Sequence, residues 1–278
     1  MATLIQTLQY VLDTKPSDLS NDVKRIILKE ILQAYVLETL YNHAAFRRLN
    51  FYGGTCLHVA FGLNRLSEDI DLDNQDGIDL THLRQDLLDF FHKGIGYPDA
   101  VASTQQGDAG ILRITLKFPV LNALGLSPYP NEALQLKVEI SSHAQVALIK
   151  HTPVFYHGRS FVLAHFSLET MMAGKMLACL ERSFQHGKEG ALIKGRDFYD
   201  LLWFMQKQVH PLEEKLAKDG RKPYTTRTAM LALLEMVATI KKKDLAVDLM
   251  PLFESPIFVQ AWVDAFHSNF SETLQAYL

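Results

Sequence analysis

Residues 53–73 read Gly53-Gly54-Thr55-Cys56-Leu57-His58-Val59-Ala60-Phe61-Gly62-Leu63-Asn64-Arg65-Leu66-Ser67-Glu68-Asp69-Ile70-Asp71-Leu72-Asp73. A flexible turn is followed by a short apolar segment and then by carboxylates alternating with aliphatic side chains. On a strand residues i and i+2 point the same way, so Asp69 and Asp71 share one face and Ile70 and Leu72 the other, with the two aspartate Cα atoms roughly 6.6 Å apart. Two carboxylates that close repel, and a hard divalent cation relieves the repulsion while gripping a nucleoside triphosphate. Upstream, glycines let backbone N–H groups approach phosphate oxygens, and Thr55 can add a hydroxyl or cap a helix over 56–61 that Gly62 ends. Taken singly, Gly-Gly-Thr is more often a plain turn and Asp-x-Asp a solvated strand face. In this order, one helix's worth of chain apart, they point to a nucleotide and metal site.

This stretch resembles the signature of the AbiEii/AbiGii-type nucleotidyltransferases, toxins of bacterial toxin–antitoxin and phage-defence systems within the DNA polymerase β-like superfamily. Three further segments resemble the family in order. Lys137-Val138-Glu139-Ile140 looks like the strand bearing the superfamily's third carboxylate, Glu139. Lys175, inside Ala173-Gly174-Lys175-Met176-Leu177-Ala178, resembles the family's helical lysine. Lys194-Gly195-Arg196-Asp197-Phe198-Tyr199-Asp200-Leu201 resembles its late Arg-Asp-x-Tyr-Asp-Leu motif, with Asp197 as the functional carboxylate. The resemblance spans residues 53–201 and nothing is recognised beyond it. It implies transfer of NMP from an NTP to an acceptor hydroxyl, the acceptor being the 3′ end of tRNA, and an antitoxin encoded nearby.

The later motifs also carry their own chemistry. Glu139 alternates with Val138 and Ile140 on a half-buried strand, where a third carboxylate would deprotonate an acceptor hydroxyl or complete a second cation's shell; the plainer account is an exposed strand residue paired with a neighbouring lysine. Lys175 lies in an apolar helical run over 168–180, so its ammonium must snorkel outward or meet an anion, either a triphosphate or the carboxylate of Asp197. Asp197 and Asp200 stand three apart on one helical face, at a helix start where acidic residues are often present for the dipole alone. Arg65 and Ser67 touch phosphate or shape the turn. The candidate site is therefore Asp69, Asp71 and Glu139 for Mg²⁺ or Mn²⁺; Gly53, Gly54, Thr55, Arg65, Ser67 and Lys175 for the nucleotide; and Asp69, Asp71, Glu139, Lys175 and Asp197 for catalysis.

Around these motifs the pattern predicts helices over 4–12 and 22–46, the longer carrying Val23, Ile26, Ile27, Ile31 and Tyr35 at helical spacing as part of an N-terminal cap. Strands are predicted over 50–53, 69–73, 111–118, 134–140 and 161–163, with a helix over 80–92 and a loop over 121–131. From residue 167 apolar positions recur at helical spacing. The expected fold is α/β (α+β): a polymerase β-like core with a mixed sheet and helical cap over 1–165, and a mostly helical domain over 166–278 contributing the late Lys/Asp motifs.

At 278 residues and 48% hydrophobic content the chain can bury a substantial core. Two cysteines, Cys56 and Cys179, make a disulfide framework implausible, and the eleven histidines show no zinc-ligand spacing. No serine sits in a Gly-x-Ser-x-Gly elbow. No run approaches the ~20 apolar residues that span a bilayer, so a cytoplasmic protein with no membrane partner is expected. A net charge of −3 argues against a generally basic surface. Local basic groups remain: Lys188, Lys194 and Arg196; Arg221, Lys222 and Arg227; Lys241-Lys242-Lys243. Such runs are usually solvated helix faces, but gathered beside a cleft they would hold RNA phosphates. Two other functions fit the same residues: a nucleotidyltransferase that modifies protein hydroxyls, and a catalytically silent nucleotide-binding partner.

Overall fold

A computed structural model describes residues 2–107, 110–142, 144–181 and 194–278. The chain divides into two compact units, residues 1–144 with 149–165, and residues 145–148 with 166–278.

The first unit is built on a mixed seven-stranded sheet in the order β3-β4-β5-β2-β1-β7-β6. Its strands are β1 (Asn50–Tyr52), β2 (Ile70–Asp73), β3 (Val101–Gln106), β4 (Leu112–Phe118), β5 (Leu134–Ser141), β6 (Ile149–Tyr156) and β7 (Arg159–Phe166). β2 runs antiparallel to β1 and parallel to β5, so the carboxylate-bearing strand is central. One sheet face carries Phe51, Ile70, Leu72, Val138 and Ile140, all fully buried. Helix α1 (Leu4–Asp13) packs against α2 (Asn21–Asn42), which in turn lies on β5. Val23, Ile26, Ile27, Ile31 and Tyr35 are buried as their spacing predicts.

β3 and β6 escape the pattern, and both are edge strands. An edge strand need not bury one whole face, so its sequence need not alternate: β3 reads Val-Ala-Ser-Thr-Gln-Gln and is largely exposed, while β6 contains Pro153, which edges tolerate. The helix predicted over 22–46 stops at Asn42. There His43 turns extended, and its Nδ1 accepts from the N–H groups of Ala45 and Phe46 before a short 3₁₀ turn. The helix predicted over 80–92 is shorter, α4 (Leu83–Asp89), and widens into a π turn over Phe90–Gly94.

The second unit is helical: α5 (Leu168–Glu181), α6 (Gly195–Gln206), α7 (Glu213–Lys218), α8 (Thr226–Val237), α9 (Lys242–Leu249) and α10 (Pro256–Leu274). Phe198 of α6 meets Phe266 and Phe270 of α10 in an aromatic core, each nearly or fully buried. Residues 145–148 are fastened here by polar contacts. The Val146 N–H donates to the Asp219 carboxylate, the Lys215 ammonium donates to the Val146 carbonyl at 3.1 Å and to Gln145 Oε1 at 2.9 Å, and the Leu148 N–H donates to Thr170 Oγ1 at 3.0 Å.

Candidate active site

In the first unit, β1 runs directly into α3 (Gly53–Phe61) with no intervening loop. Sequence pattern places a turn over 53–55 and the helix after it; instead Gly53, at φ +80, makes the turn within one residue and opens the helix itself. Only a glycine fits. A Cβ built on Gly53 would lie 2.2 Å from Asp71 Oδ2, and one on Gly54 would lie 2.4 Å from Arg65 Nη2 and 3.0 Å from Ser67 Oγ. The bare backbone at the α3 N-terminus is thus pressed against an aspartate on one side and a guanidinium on the other.

Thr55 does not cap α3, whose N-cap is Tyr52 without a side-chain cap bond. Its hydroxyl is fully buried, bonded to Ser67 Oγ at 2.8 Å and to the Asp69 carbonyl, which ties the glycine turn to the acidic segment. Arg65 and Ser67 are buried beside it, with the Arg65 guanidinium donating to the Leu66 carbonyl. From α2, the Gln33 amide donates to the Ser67 carbonyl at 2.8 Å and Lys29 pairs with Glu68 at 2.8 Å. Gly62 closes α3 in the left-handed conformation, as predicted.

β2 begins at Ile70, so Asp69 stands one residue ahead of the strand. Cross-strand register aligns Tyr52 with Asp71, Asp71 with Glu139, and Glu139 with Arg113. Four neighbouring strands therefore bring these side chains into a row on the face opposite the apolar core. Asp69 joins that row electrostatically. Burial raises its carboxyl above the usual aspartate value and the charges of Glu68 and Glu139 raise it further, against the opposing pull of Lys137 and Lys29. Glu139 accepts a 2.7 Å bond from Arg113 Nε. Among the described residues no three His, Cys, Asp or Glu side chains converge to form a complete ion cage. The donor set still suits a small hard cation, because Mg²⁺ commonly takes one or two protein carboxylates and fills its remaining positions with water and phosphate oxygens.

In the second unit, the Lys175 ammonium on α5 sits between two carboxylates of α6, 2.6 Å from Asp197 Oδ1 and 2.8 Å from Asp200 Oδ2. The three-residue spacing of the aspartates puts both on the face turned to α5. α6 starts where Gly195 lets it approach the Leu245 backbone closely, and Asp248 of α9 accepts from the Arg196 N–H at 2.8 Å.

The chain matches the family model described as "Nucleotidyl transferase AbiEii toxin, Type IV TA system" over residues 35–275. It belongs to the AbiEii family. This AbiEii protein is accordingly a nucleotidyltransferase toxin of a type IV toxin–antitoxin system, with an NTP as substrate and an antitoxin as partner. No curated protein sequence matches it. Among solved structures it is similar to JHP933 from Helicobacter pylori, at 16% identity and a TM-score of 0.48, over 90% of this chain and 95% of that one. A second H. pylori structure, of a candidate nucleotidyltransferase, is similar at 17% identity and a TM-score of 0.47, over 88% and 95% of the respective chains.

Sequence alone passes over two residues that organise the AbiEii motifs, Arg113 and Asp248, and one contact, that of Asp200. Arg113 sits in a regular alternation, Leu112 to Phe118, that reads as an ordinary half-exposed strand, and nothing local reveals that it faces Glu139. Asp200 is visible as the motif's second aspartate, but its contact with Lys175 is not. Asp248 lies far from α6 in sequence. Of the basic groups, Lys188 lies outside the described residues, Lys242 is near Asp264, and Arg227 donates to the Leu278 carbonyl. Among the described residues no helix is long and apolar enough to cross a membrane.

Proposed function

We propose that this toxin is a cation-dependent nucleotidyltransferase acting on the 3′ end of tRNA in the cytoplasm. The observation that carries the reading is the close seating of the Gly53 backbone on Asp71, which puts a helix N-terminus beside an acidic row. The amides of Gly53 and Gly54, helped by the Arg65 guanidinium and the Ser67 hydroxyl, would hold triphosphate oxygens, with Thr55 fixing the turn from beneath. Asp69 and Asp71, with Glu139 in register, would hold Mg²⁺ or Mn²⁺, which supplies charge neutralisation at the attacking and leaving oxygens. The acceptor hydroxyl attacks the α-phosphorus in line, its proton passes to a carboxylate, and the bond to the β-phosphate oxygen breaks to release pyrophosphate. Glu139 and Asp197 are the candidates for that proton. Lys175 is assigned to the triphosphate on its charge, for which a phosphate would have to compete with Asp197 and Asp200.

The test is incubation with each α-³²P-labelled NTP, Mg²⁺ and total bacterial RNA, with Asp69→Asn alongside. Label on tRNA that the folded variant fails to transfer supports the reading. Label on protein, or equal transfer by Asp69→Asn, overturns it.

A further inference from the structure

The first unit contains a cleft of about 1000 Å³ that the catalytic row does not use. Its walls come from the turn before β1, the segment after β2 and the hairpin β6–β7, all within this unit. Arg47 and Arg48 line one side, Asn50 and Val162 its sheet floor, and His151 and Phe155 the edge strand. Phe155 is 77% exposed and Val162 53%, although both are large and apolar.

Register fixes where this cleft lies relative to the aspartates. Asn50 pairs with Asp73 as Tyr52 pairs with Asp71, so alternation puts Asn50 on the same face as Asp71, one two-residue step along β1, roughly 7 Å. On β7, His165 pairs with Phe51 and so faces the apolar core; Val162, three positions back, faces the other way, with Asn50. The cleft is a continuation of the acidic row's own face toward the edge strand.

We infer that this cleft binds a single-stranded segment of the acceptor RNA, a proposal that rests on the RNA-acceptor reading above. The chemistry favours that occupant over a protein. Two exposed arginines stand over the floor, Arg48 sharing its charge with Asp76 at 3.1 Å, which leaves the rim net positive for phosphates. The exposed Phe155 ring offers an unstacked base a platform on the edge strand. A pure protein-docking groove would not need guanidinium groups along a face that leads to phosphoryl-transfer carboxylates.

The experiment measures binding of a fluorescein-labelled single-stranded RNA oligonucleotide by anisotropy, for the full chain and for Phe155→Ala and Arg47→Glu. A fluorescent NTP and a melting curve run in parallel. Loss of one stacked base should weaken RNA binding about tenfold, and the charge reversal should weaken it and flatten its salt dependence, with nucleotide binding and melting temperature unchanged. No RNA binding by the parent chain, or equal binding by both variants, overturns the inference. The two levels separate cleanly. Transfer to RNA that both variants perform with unaltered KM removes the cleft and keeps the RNA acceptor; groove-dependent RNA binding without any transfer to RNA keeps the cleft and removes the acceptor.

Discussion

Gly53 is the residue on which the spacing of the candidate site depends. Its φ of +80 and the 2.2 Å approach of Asp71 Oδ2 to a built Cβ mean that an alanine meets both backbone strain and a displaced carboxylate. Gly53→Ala should cost about 1–2 kcal/mol of stability and remove most nucleotide transfer, seen as a lowered Tm and loss of labelled product; a fully active variant would show that the close approach is dispensable. Asp69 makes a prediction of opposite character. Its carboxyl is held above the ordinary value, chiefly by burial, so the folded chain binds that proton more tightly than the unfolded chain does. The resulting stabilisation is full below the ordinary aspartate value and disappears as pH rises through the raised one. The Tm of the parent chain should therefore fall relative to that of Asp69→Asn as pH climbs through that window. A constant difference across the window would mean that Asp69 is not perturbed. These residues are also where sequence is most informative, since Gly53, Asp69 and Asp71 announce themselves by type and spacing. Arg113 does not, because what matters is its neighbour on another strand.

At the scale of elements, α5 and α6 are locked by one ammonium against two carboxylates, all largely or fully buried. Lys175→Met would remove the ammonium that Asp197 and Asp200 share and leave two buried carboxylates on one helix face without it, at a cost of about 3 kcal/mol. Adding Asp197→Asn and Asp200→Asn should restore the Tm while activity stays lost, and chemical denaturation with transfer assays on both variants would check this. Failure of the triple variant to regain stability would locate the cost in packing rather than charge. Legibility at this scale follows burial. Central β2 and β5 and the long α2 are visible because half of each must be apolar, whereas edge strands β3 and β6 escape the same logic, and α2 ends early because His43 supplies its own local hydrogen bonds.

For the whole molecule, a nucleotide that binds the folded chain and not the unfolded one raises its melting temperature by mass action. At a free concentration of 100 times Kd the gain is about 2.7 kcal/mol, a rise of several degrees for a chain this size. NTP with Mg²⁺ should produce that shift in the parent chain and a much smaller one in an Asp69→Asn, Asp71→Asn variant, by scanning fluorimetry. Equal shifts would separate nucleotide binding from the acidic row. The second unit's helical character is apparent in the sequence, but its ownership of residues 145–148 is not, since four residues carry no periodicity. That ownership has a topological consequence. The backbone passes from one unit to the other three times, after residues 144, 148 and 165, so no single cleavage yields two complete units. A fragment starting at residue 166 would keep the nearly buried ammonium of Lys215 and lose its acceptors on Gln145 and Val146. Whoever splits this toxin into halves for reconstitution must therefore supply those four residues to the C-terminal piece, or expect it to fold poorly alone.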